Sequence, residues 1–86
     1  MGPPLGGASL AVRDRLVTRA HVISTLTAEL RKSFSSVTEA MVTEIIDAWL
    51  AGDRGMQLPH GLIGMIAGHE LDEVERQQPG MLKGLR

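Results

Sequence analysis

The stretch from Ser35 to Gly55 constrains this chain more than any other, because it reads as one capped helix with a complete apolar half. At about 100° per residue, Met41, Val42, Ile45, Ile46, Trp49 and Leu50 fall on one side of the cylinder. Thr43, Glu44, Asp47 and Ala51 fall on the other, and the only tryptophan sits at the middle of the apolar half. Such a segment is marginal alone in water and needs other elements to bury against. The rest of the chain offers helical stripes, so the fold class predicted is all-α: a small three-helix bundle with a flexible N-terminal arm and a flexible C-terminal tail.

Local signals place the elements. The middle helix is expected over 37–51, and two frames fit its start. In one, Ser36 and Glu39 form a capping box; in the other, Thr38 is the cap and Val37 is stapled onto Val42. Its end falls near Gly52, because glycine takes the left-handed closing residue without strain. Upstream, Val12, Leu16, Ala20, Ile23, Leu26, Leu30 and Phe34 make a stripe that predicts a first helix over 9–34 with Ser9 as its cap. Thr18, Ser24, Thr25 and Thr27 lower its propensity, so one helix and two helices broken near Thr18 both fit. Residues 1–8, with three glycines and two prolines, read as a disordered arm. A third helix is expected over 59–77, opened by Pro59 at its first position and closed before Pro79-Gly80. The bundle then spans 9–78, and 79–86 reads as a flexible tail.

The third helix is unusual. Leu62, Ile63, Ile66, Ala67, Leu71 and Val74 form its apolar stripe, while Gly61, Gly64 and Gly68 line the opposite side with Met65 between. From Gly61 to Gly68 no face carries a charge, whereas a surface helix shows a polar back. Each interior glycine costs ~1 kcal/mol relative to alanine, and small residues at this spacing admit a second backbone. Gly61, Gly64, Met65 and Gly68 are therefore the candidate interaction surface, unless the chain's own arm or tail covers them. Glu70 falls near the centre of the stripe, where it must pair with a cation such as Arg19 or reach water by rotation of the helix.

Catalytic and metal chemistry find no support in the sequence. There is no cysteine, no nucleophile–base pattern and no phosphate-binding glycine loop. Gly68-His69-Glu70-Leu71-Asp72-Glu73 has the outline of a zinc-peptidase motif, but Glu73 stands where the second histidine belongs. The expectation is a protein that is not an enzyme, with no metal and no cofactor. The net charge of −1 disfavours general nucleic-acid binding, although the basic first helix offers Arg13, Arg15, Arg31 and Lys32. No stretch approaches a membrane span, and the first residues lack the form of a secretory signal, so the expected localisation is cytoplasmic.

The order Leu26, Leu30, Phe34, Val37, Val42, Ile46, Leu50, Leu58-Pro59, Ala67 and Leu71 resembles a small three-helix-bundle domain of actinobacterial proteins. That domain occurs alone or ahead of a low-molecular-weight phosphatase-like domain. The resemblance covers about residues 20–75 and implies a helical bundle without a defined activity. The family's third helix is usually rich in arginine and acidic residues, which Gly61 to Gly68 lacks here. The function expected is a non-catalytic protein–protein interaction or self-association module, docking through the uncharged half of helix 3. The alternative is a small nucleic-acid-linked regulator using the basic first helix.

Overall fold

The computed structural model describes residues 18–85, which form three helices and two short 3-10 turns. Helix α1 spans Arg19–Arg31, α2 Glu39–Leu50 and α3 Gly61–Gln77, with the turns at Gly55–Gln57 and Lys83–Leu85. The expectation of an all-α three-helix domain holds. The arm at 1–8 and the proposed cap Ser9 lie outside the described residues.

Thr18 is extended, and its side chain accepts from the His21 amide, so α1 begins there as a newly capped helix. The described helix therefore starts at Thr18, and residues 9–17 of the expected first helix lie outside the described residues. At the other end α1 stops at Arg31, short of Phe34. The Phe34 amide still bonds back to the Leu30 carbonyl, and Val37 turns onto the Phe34 carbonyl. Phe34 thus packs from a turn, partly buried against the core.

Helix α2 starts with the second of its two frames. The Thr38 side chain accepts from the Met41 amide at 3.2 Å, while Val37 and Val42 are both buried in the core. Ser36 is exposed and outside the helix, so the Ser36–Glu39 capping box does not form. The C-terminus closes as the glycine predicted: Gly52 takes φ 113°. Its amide bonds the Trp49 carbonyl, and the next amide, from Asp53, reaches back to Ala48.

The entry to α3 departs from expectation. Pro59 does not open the helix; His60 is its N-cap at φ 71°, and Gly61 follows at φ 58°. Two successive left-handed residues turn the chain sharply, and only the second is a glycine that adopts this conformation without strain. His60 Nε2 meets Glu44 Oε1 at 2.5 Å, which ties the turn to α2. The consequence is that Leu58-Pro59 runs beside α3 instead of along its axis.

The core is a single cluster centred on α2. Val42, Ile45, Ile46 and Trp49 meet Leu26 and Leu30 of α1, Ala67 and Leu71 of α3, and Val37, Leu58 and Leu82 from the connections. Helix α2 packs against both other helices, and α1 and α3 touch each other over much less surface. Leu82 corrects the expectation of a loose tail. The Gly80 amide donates to Glu75 Oε2, Gly80 turns at φ 86°, and the following turn drives Leu82 into the core with Met81 and Leu85 beside it.

Candidate interaction surface

The buried side of α3 comprises Gly64, Ala67, Gly68 and Leu71. This is the glycine side, about a quarter turn from the face that the large apolar residues predict. The cause is Leu58-Pro59. A Cβ at Gly64 would fall far inside contact distance of the Pro59 carbonyl oxygen, with the carbonyl carbon at 3.1 Å and Leu58 Cβ at 3.4 Å. A Cβ at Gly68 would collide with Leu58 Cδ1. The glycines therefore do admit a close second backbone, and that backbone is the chain's own. Gly64 and Gly68 are removed from the candidate interaction surface, while Gly61 and Met65 remain exposed.

Rotation of α3 turns other residues outward. Leu62, placed by the sequence in the buried stripe, is 60% exposed, and Met65 is 40% exposed. Ile63 and Ile66 are only partly buried. Met56, at 86% exposure, projects from the 3-10 turn that packs against α3. Glu70 is exposed as well, so it needs no buried partner; Arg19 pairs with Asp47 of α2 instead. Among the described residues Glu70 makes no hydrogen bond or ion pair. The outward side of the first two turns of α3 is thus Leu62, Met65 and half-buried Ile66, without a charge until His69-Glu70.

Sequence reasoning missed Leu62 and Met56. With no charge on either side of Gly61 to Gly68, a helical wheel has nothing to mark the wet face, and side-chain size is then a misleading guide. The available signal was Leu58-Pro59 placed just ahead of glycines spaced one turn apart.

A second constellation fixes this face in place. Trp49 is 2% exposed, and its Nε1 donates to Asp72 Oδ1 at 2.8 Å, joining α2 to α3. Arg54 covers the indole at 4.3 Å, donates to the Trp49 carbonyl at 2.6 Å and has its Nε 3.9 Å from Asp72 Oδ1. Helix α3 is therefore held rotationally by a directional bond as well as by packing.

The remaining candidates do not converge. Arg13 and Arg15 lie outside the described residues. Arg31 and Lys32 are exposed at the end of α1, where Lys32 Nζ bonds Glu29 at 3.1 Å. His69 is exposed, and Glu73, one turn on, is held by Arg76 at 2.6 Å. No group of three or more His, Asp or Glu among the described residues is placed to hold a metal ion. An open groove of about 470 Å³ lies between α1, α3 and the C-terminal turn, floored by Val22, Leu26, Leu71, Val74 and Leu82. None of the described helices is long and apolar enough to cross a membrane. Comparison with family models, with curated proteins and with solved structures gives no match to this chain.

Proposed function

We propose that this domain is a non-catalytic interaction or self-association module that docks through the outward side of the uncharged half of α3. The observation that carries the reading is the exposure of Leu62 at 60% and Met65 at 40%, on a helix with no charge from Gly61 to Gly68. Side chains of this size return ~1.5–3 kcal/mol each when fully covered. They supply the apolar centre that a protein contact requires. The Trp49–Asp72 bond and the Leu58-Pro59 strap keep the face preformed, so docking loses little conformational entropy.

The test is a photoreactive amino acid at Leu62, compared with the same group at exposed Ser24 on α1, in living cells that make the full chain. Covalent protein adducts are expected from position 62, absent from position 24, and lost when Met65→Glu is added. No adduct at 62, or equal adducts at both sites, would remove the basis of this reading.

A further inference from the structure

Helices α1 and α2 begin with the same local chemistry. Val17-Thr18-Arg19-Ala20-His21-Val22 shares its valine, threonine, alanine and second valine, in register, with Val37-Thr38-Glu39-Ala40-Met41-Val42. The two threonines adopt one backbone conformation, φ −120° and ψ 165° at Thr18 against φ −123° and ψ 163° at Thr38. Each side chain accepts from the amide three residues on, at 3.1 and 3.2 Å. Each carbonyl accepts from the valine amide four residues on, at 3.0 and 3.1 Å. In α2 this geometry takes Val37 and Val42 into the core together, both fully buried. An apolar residue ahead of the cap, packed on one at the fourth helical position, fixes the direction from which the chain enters a helix.

At α1 the equivalent valine of the helix, Val22, is only half-buried and lines the open groove of about 470 Å³ with Leu26, Leu71 and Leu82. The acidic side chains on its walls are Glu29 from α1 and Glu70 from α3, and no lysine or arginine lines it. We infer that the segment ahead of Thr18, which lies outside the described residues, occupies this groove. Val17 packs on Val22 as Val37 and Val42 pair in α2, Val12 and Leu16 cover the apolar floor, and Arg13 and Arg15 meet Glu70 and Glu29 at the rim. The charges match. Ahead of Thr18 the charged side chains are two arginines against Asp14, while Glu70 makes no hydrogen bond or ion pair among the described residues. The attachment favours this occupant further. Val17 adjoins the cap, so the segment stands beside the groove at an effective concentration of about millimolar, which a separate partner rarely reaches. The proposal is independent of the docking reading, since neither Leu62 nor Met65 lines the groove.

The test uses the full chain, whose lack of cysteine lets a nitroxide be attached at one site through Ala11→Cys. In isotope-labelled protein the amide signals of Val74 and Gln78 are expected to lose most of their intensity to paramagnetic broadening, while those of Leu62 and Met65 lose far less. Glu29→Arg combined with Glu70→Arg, both at exposed positions, should restore most of the lost intensity by repelling Arg13 and Arg15. Val17→Asp should do the same by breaking the valine pair. Equal broadening along the whole of α3, or broadening at Leu62 and Met65 instead, would overturn the proposal. So would signals at Val74 and Gln78 that stay broadened in the charge-reversed and Val17→Asp chains. Labelled chains without nitroxide, mixed with unlabelled chains that bear it, are expected to show no broadening. Broadening at Val74 in that mixture would give the groove to the segment of another copy and overturn the proposal as well.

Discussion

At Gly64 a single methyl group separates a folded domain from a clash. Alanine there should raise helix propensity by up to ~1 kcal/mol, yet its Cβ would press on the Pro59 carbonyl, and backbone cannot rotate aside. Gly64→Ala is therefore expected to destabilise by about 2 kcal/mol or more. Gly68→Ala meets only the tip of the Leu58 side chain, which can change rotamer, so its cost should be clearly smaller. Thermal or urea midpoints of the two variants check the order, and an equal or reversed order would contradict the strap. Trp49 makes the second residue-scale case. Its burial at 2% exposure predicts blue-shifted emission poorly quenched by iodide. Trp49→Phe loses the bond to Asp72 and part of the packing, about 1–3 kcal/mol, and Trp49→Ala about 3–5 kcal/mol, enough to unfold a domain of this size. Chemical denaturation of the Phe variant gives the first value; the Ala variant should lack a cooperative transition.

Each helix has a boundary that a small experiment can read. For α2 the cap is Thr38 and not Ser36, so Thr38→Ala should cost about 1 kcal/mol while Ser36→Ala stays within a few tenths. Equal losses would restore the capping box. For α3 the last turn leads through Gly80 into a second turn whose Leu82 is 2% exposed. Leu82→Ala is thus expected to cost about 2–4 kcal/mol, read as a lower thermal midpoint, whereas a loose tail would leave it unchanged. The boundaries of α1 and α2 were partly legible because their cues are local: Thr18, Thr38 and Gly52 bond groups within a few residues of themselves. The start of α3 was not. Pro59 suits the first position of a helix, but His60 and Gly61 both adopt left-handed backbone, a choice favoured by the His60–Glu44 contact and the Leu58 anchor across the fold.

For the molecule as a whole, one core joins the three helices, with α2 between the others and Trp49 at the junction with Asp72 and Arg54. Unfolding should accordingly be a single event: Trp49 fluorescence and helical circular dichroism are expected to lose signal at the same denaturant concentration. Dichroism falling first would show that α1, which meets α3 over little surface, opens by itself. The sequence alone determined the helical class, the order of the helices, the α2 face bearing Trp49 and the glycine that ends α2. All of these follow from apolar period and from caps that act within one turn. Only the tertiary structure decided which side of α3 is wet. Gly61 to Gly68 has no charge to mark that side, so the answer came from the backbone of Leu58-Pro59 settling against Gly64 and Gly68. That contact turned the small residues inward and left Leu62 and Met65 facing out. Leu82 entered the core for a related reason: a tail of ordinary local propensity becomes structure once a fold offers it apolar surface to cover.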